Sequence, residues 1–202
     1  MAVTARKGRT STSTYTVAGE TLADLVKEID RKGPKDLNDG KRYSGLCVGK
    51  ISLLIGANDF AFVTTAGASP VEVTATLAAG TVTNDCEITM PKLASNKGLS
   101  SAAQKEWNRF VAAVDKHENG HVDAYFADAQ DLAKELNGMS ATGTGKDEKS
   151  ARVAAQRALL EAMKKAYGGT VLNDRVGAIA KAYDSRTKHG ESQGAVLDGR
   201  IT

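Results

Sequence analysis

The chain has 202 residues, of which 41% are hydrophobic and 25% charged, and its 27 lysines and arginines against 24 acidic residues leave a formal net charge of +3. That length supports a domain with a real core, and the small charge lacks the strong basic stripe of a nucleic-acid binder, so no nucleic-acid partner is expected. No apolar run approaches the roughly 18–20 residues that span a bilayer, so no membrane insertion is expected either.

In chain order, residues 1–13 are basic and rich in Ser and Thr, without the apolar stretch of a signal peptide. They read as a flexible basic arm, with one domain over residues 14–202. The absence of a leader predicts a cytoplasmic chain, a mature fragment, or export by a non-classical route. Tyr15 to Gly19 reads as a short strand. Thr21 to Lys32 reads as an amphipathic helix with Leu22, Leu25, Val26 and Ile29 on one face, stopped by Gly33-Pro34. After a polar loop at 36–41, residues 43–55 and 59–65 read as two strands joined by a turn at Gly56 to Asp59. Val71, Val73 and Leu77 alternate with Glu72, Thr74 and Thr76, the pattern of a half-buried strand. A turn at Gly80 leads to a partner strand from Val82 to Met90, closed by Pro91. This half reads as a mostly antiparallel sheet with one helix.

Cys47 and Cys86 each fall in phase with apolar strand residues. Two buried thiols and a disulfide between neighbouring strands both fit that placement. Neither sits in a C-x-x-C pair, which argues against a metal role.

From residue 101 the period changes. Ser101 and Gln104 suit a capping box. Trp107, Phe110, Val111, Val114, His117, Glu118 and His121 then recur at steps of mostly three and four along a helix running to about Leu136. Residues 137–146 are rich in Gly, Ser and Thr and read as a loop. Ser150 to Tyr167 and about Asn173 to Tyr183 read as further helices, the last leading into a loop with His189. Strands followed by helices predict an α+β fold.

The chain has only three histidines, and two of them, His117 and His121, enclose Glu118 in H-E-N-G-H. Residues four apart share a helix face, so both imidazoles can aim at one ion about 2 Å away. Glu118, rotated about 100° around the axis, reaches a water rather than the ion itself. This is the helix-borne zinc site of metallopeptidases. A catalytic zinc takes three protein ligands and leaves a position for water. His189 is the candidate for the third, with Glu161, Glu191 and Asp184 as competitors. Residues Val122 to Ala127 lack the Gly and His that would extend the motif to a metzincin. Gly120 within the helix reads either as tolerated or as leaving room for close approach of a strand or substrate. Trp107 and Tyr125 read as core. Asp123 and Asp128 read as solvated charges, with an imidazole-orienting role as the alternative. Tyr183 or Arg186 is placed to donate to an oxyanion, with a structural role for Tyr183 fitting equally, and Asp184 is also a candidate to support the transition state or a ligand.

Together these residues resemble a family, the bacterial predicted secreted zinc-dependent proteases catalogued as domain of unknown function 922, a zincin-like group. The resemblance runs from about Tyr15 to Leu197. It rests on Tyr15-x-Val17-x-Gly19, Gly33-Pro34, Pro91, Trp107 ahead of His117-Glu118-x-x-His121, Tyr183-Asp184-x-x-Thr187-x-His189-Gly190, and Gln193-Gly194-Ala195. The Tyr-Asp to His-Gly element is the more discriminating, and it favours His189 over Glu161. The resemblance implies a zincin-like single domain, a small antiparallel or mixed sheet packed on the H-E-x-x-H helix with further C-terminal helices, and a secreted or periplasmic location. The expected activity is a zinc endopeptidase with one Zn2+ per chain on His117, His121 and His189. Glu118 is its general base, and a protein or peptide bound in extended form is its substrate. The alternatives are an inactive zincin-fold interaction module and a delivered protease toxin.

Overall fold

The computed structural model describes residues 2–202, an α+β chain of six strands and four helices. The strands are β1 (Val3–Val17), β2 (Leu46–Leu54), β3 (Phe60–Thr65), β4 (Val71–Leu77), β5 (Gly80–Leu93) and β6 (Ser140–Gly145). The helices are α1 (Leu22–Lys32), α2 (Ser101–Leu136), α3 (Glu148–Tyr167) and α4 (Val171–Thr187). Two three-stranded sheets form, in the orders β1-β5-β2 and β3-β4-β6. In the first, Arg9 bonds to Asp85, Ser13 to Thr89 and Val17 to Ala94, so β1 and β5 run parallel. The second is antiparallel throughout.

The chain divides into two compact units. The first comprises residues 1–7, 51–84 and 126–176. Here α3 packs on β6 and β4. Gly143 and Gly145 allow the close approach, since a Cβ at either would meet backbone of α3 at Ala155 or Ala151. Ala151, Ala155, Leu159 and Met163 recur every four residues along the buried stripe of α3. The Asp147 side chain caps this helix by accepting from Ser150 N–H at 2.8 Å. Arg175 donates to both oxygens of Asp128 and both of Glu135, which ties the start of α4 to the end of α2.

The second unit comprises residues 8–50, 85–125 and 177–202. Thr21 caps α1, accepting from Asp24 N–H at 3.2 Å, and Leu22, Leu25 and Ile29 form its buried face. On α2, Ala103, Trp107, Phe110, Val114 and Val122 are buried. Trp107 and Phe110 meet at 5.6 Å between ring centroids.

Several expectations are corrected. The segment expected as a flexible arm, residues 1–13, belongs with β1 from Val3 onward. Its side chains are mostly exposed, so no apolar face betrayed it, and pairing with β5 makes it a strand. The strands on either side of Gly56 do not pair as a hairpin: β2 joins β5, while β3 joins β4. Pro91 does not end β5, which continues to Leu93. The presumed loop at 137–146 contains β6, paired with β4 from Thr76↔Ser140 to Val71↔Gly145. The cap of α2 is Ser100, whose hydroxyl accepts from Ala103 N–H at 3.1 Å, not Ser101. Among the described residues, no helix is long and apolar enough to cross a membrane.

Candidate metal centre

His117, Glu118 and His121 sit in the second unit, on the buried side of α2, at 6, 3 and 5% exposure. Residues that are ordinarily polar and surface-bound stay buried only with partners. Here one ligand atom from each lies within 4.8 Å of the others. They line a cleft of about 450 Å³, open to solvent, together with Tyr43, Ser44, Gly45, Asp184 and His189.

Asp184, in the last turn of α4, directs its Oδ1 to His121 Nε2 at 3.0 Å and His117 Nε2 at 3.2 Å. His189 Nδ1 is 3.8 Å from the same oxygen. Behind the rings, Gln193 Oε1 lies 2.9 Å from His117 Nδ1, while Gln193 Nε2 donates to the Tyr183 hydroxyl at 3.1 Å. In that amide orientation Oε1 accepts, which pairs it with a hydrogen on His117 Nδ1. In the neutral ring, Nε2 is then a bare lone pair facing a carboxylate oxygen. Two acceptors at that separation call for a proton on the ring or a cation between them, so the donor set fits a metal ion. His121 Nδ1 is buried without a hydrogen-bond partner, so no neighbour competes for the tautomer of that ring.

The electrostatics agree. Burial would raise the Asp184 carboxyl, but hydrogen bonds from His117 and His121 and the nearby imidazole charge hold it well below the usual carboxylate range. Burial works against a charged His117, yet Asp184, Glu118 and Gln193 together raise its pKa. Burial pushes Glu118 up to about 7; the His117 charge and the Cys47 N–H oppose this, and the Asp184 charge reinforces it. A carboxyl with that value is close to balanced between its two protonation states near neutral pH.

Packing of the cluster depends on two glycines. A Cβ at Gly45 would overlap the Glu118 carboxylate and Val114. A Cβ at Gly120 would overlap the Tyr183 hydroxyl. The close approach at Gly120 is therefore made by Tyr183, neither a strand nor a substrate. Tyr183 stacks on His117 at 5.2 Å and meets His121 edge-on at 4.6 Å. Arg186 lies over the Tyr183 ring at 5.3 Å. Tyr183 thus packs against both imidazoles of the cluster, and Arg186 covers its outer face.

The other predicted residues are placed as follows. Trp107 and Tyr125 are buried, as expected. Asp128 is half-buried and pairs with Arg175 in the first unit. Glu161 is exposed on α3, also in the first unit. Glu191 is exposed at the 3-10 turn Glu191–Gln193. Cys47 and Cys86 are buried thiols that form no disulfide and lie within hydrogen-bonding range of each other.

Sequence reasoning missed Gln193 as an orienting group, Gly45, and a tether on the C-terminal segment. Arg109 donates to Gly194 O and Val196 O at 2.7 Å each, and Glu106 accepts from Asp198 N–H at 3.0 Å. The pair Glu106–Arg109 itself is a two-point contact at 2.7 Å. The spacing of three on α2 was a usable signal for the pair, but the backbone it holds lies more than 80 residues away.

Residues 12–190 match the profile of one family, described as bacterial protein of unknown function (DUF922). No curated protein and no solved structure matches the chain.

Proposed function

The chain belongs to that family of bacterial proteins of unknown function, and from that premise we propose that it is a zinc-dependent metallopeptidase of zincin-like architecture. The observation that carries this reading is the buried His117-Glu118-His121 cluster opening onto a cleft, with the tautomer of His117 set by Gln193. His117 and His121 would hold the ion through Nε2, and a nitrogen and oxygen donor set suits zinc. When bound, zinc supplies Lewis acidity that activates water and polarises the scissile carbonyl.

The chain's own residues do the rest. Glu118 takes a proton from the attacking water onto its carboxylate and returns it to the leaving amine. Its raised pKa, about 7, suits both transfers. The Cys47 N–H holds the carboxylate, and the bare Cα of Gly45 leaves it room. β2 is an outer strand of its sheet, and Ser44, Gly45 and Leu46 at its start line the cleft. An extended peptide adding alongside that edge would lie across Glu118.

Elemental analysis of the purified chain, paired with digestion of an unbiased peptide library, tests the reading. The expected result is about one zinc per chain and cleavage that falls by roughly 10²–10⁴-fold in Glu118→Gln with metal retained. A chain that holds no metal and cleaves nothing would sink it.

A further inference from the structure

We propose that Asp184, rather than His189, is the third protein ligand of the ion, and that His189 stands at the mouth of the cleft to contact the substrate. This rests on the metallopeptidase reading for its second half only. The first half concerns metal binding and stands or falls separately.

Asp184 Oδ1 stands near ligand spacing from both imidazole nitrogens. In a tetrahedral zinc site with bonds of about 2.0–2.1 Å, neighbouring ligand atoms stand about 3.3–3.4 Å apart. The separations of 3.0 and 3.2 Å from Asp184 Oδ1 to the two Nε2 atoms are within a few tenths of that edge.

His189 differs from these three in its burial and in its ring partner. Its side chain is 47% exposed, against 12% for Asp184, 8% for His117 and 6% for His121. Its Nδ1 lies 3.8 Å from Asp184 Oδ1. Its ring is occupied by Tyr43, stacked at 4.8 Å and 17°, and the Tyr43 hydroxyl donates to Asp39. The backbone explains the placement. Lys188 and His189 have φ of 51° and 50°, two consecutive non-glycine residues in the left-handed region. Such strain persists where the surroundings over-determine it, and it clusters at functional sites. The turn brings His189 N–H back to Asp184 O at 2.9 Å and sets the ring above the carboxylate. There it borders both the metal cleft and an adjoining groove with Val26, Ile29, Phe110 and Leu197 among its lining. A half-exposed imidazole at that junction is placed to donate to a peptide carbonyl crossing from groove to cleft.

The test is zinc affinity by competition with a chromophoric chelator, on the full chain, for wild type, Asp184→Asn, His189→Gln and, as a reference loss from the H-E-x-x-H pair, His121→Ala. Near-ultraviolet circular dichroism at Trp107 checks folding. The expected result is a loss of at least about 100-fold for Asp184→Asn and His121→Ala, and less than about 10-fold for His189→Gln. A His189→Gln chain that loses zinc while Asp184→Asn keeps it overturns the proposal. If Asp184→Asn does not fold, the cobalt-substituted wild type and His189→Gln decide. An unchanged d–d spectrum keeps His189 off the metal, and an altered one overturns the assignment. Where cleavage is measurable, His189→Gln lowers kcat with zinc content unchanged. A wild type that binds no zinc defeats both the proposal and the metallopeptidase reading. Zinc bound through Asp184 with no cleavage of any peptide defeats only the latter.

Discussion

In the unit of residues 1–7, 51–84 and 126–176, the side chains kept from solvent are aliphatic and Met, joined by Thr83 and Asn84, whereas the unit of residues 8–50, 85–125 and 177–202 also buries Glu106, His117, Glu118, His121, Asp184 and Thr187. Burying ionisable groups works against folding unless each finds a partner. The first unit keeps its main charge network, Arg175 with Asp128 and Glu135, partly in solvent, where such pairs contribute little. The second accepts the cost where the cleft needs charge. The contrast teaches that the apolar core and the buried ionisable cluster have been assigned to different stretches of one chain.

The largest effect expected from a single change tests the first unit. Leu159 is fully buried on α3, so Leu159→Ala should destabilise by about 2–5 kcal/mol in urea unfolding. Zinc affinity of the folded protein should stay as in wild type; a parallel loss of affinity would break the contrast. Next in size is Gly120→Ala in the second unit. Helix propensity alone favours the change by about 1 kcal/mol. The overlap with the Tyr183 hydroxyl opposes it, and overpacking costs about 1–3 kcal/mol. The net should be a lower melting temperature with weakened zinc binding, and a rise in melting temperature would show that Tyr183 moves aside freely.

Arg109→Ala should cost only about 1 kcal/mol, since its side chain is 46% exposed. Its sharper effect is loosening residues 194–198, seen as faster amide exchange there and a raised KM. Arg109 also holds the Glu106 carboxyl below the usual glutamate range. A depressed carboxylate stabilises above its unfolded pKa, and the contribution is lost as pH falls through the folded value. The 194–198 segment should therefore loosen on acidification below about 4.3, and Glu106→Gln should remove that pH dependence. The narrowest effect is Thr21→Ala, loss of the α1 cap, also at about 1 kcal/mol in thermal unfolding but with no change at the buried His-Glu-His cluster.

The sequence disclosed most where one element carried its own signal. α1 and α2 were legible from their apolar stripes, and His117, Glu118 and His121 from a spacing that needs only a helix. What it hid depended on distant partners. β1 lacked an apolar face, although Thr4, Thr10, Thr12, Thr14 and Thr16 supplied β-branched residues at even positions, a signal of strand propensity. β6 was masked by its Gly, Ser and Thr content, because glycines at 143 and 145 serve the helix above them rather than the strand. Gln193 acts on a ring 76 residues away, and no local pattern announces that. Asp184 and His189 were both visible as possible ligands. Their difference in burial arises from the left-handed turn at 188–189, which composition does not foretell.

The family profile stops at residue 190, three positions short of Gln193. A fragment trimmed to that boundary would retain all three imidazoles and the Asp184 carboxylate. It would lose the amide that tells His117 which nitrogen to protonate, and with it the backbone that Arg109 anchors. Nothing would then hold the His117 hydrogen on Nδ1, so the dozen residues after the profile ends bear on how the proposed ligand inside it is presented.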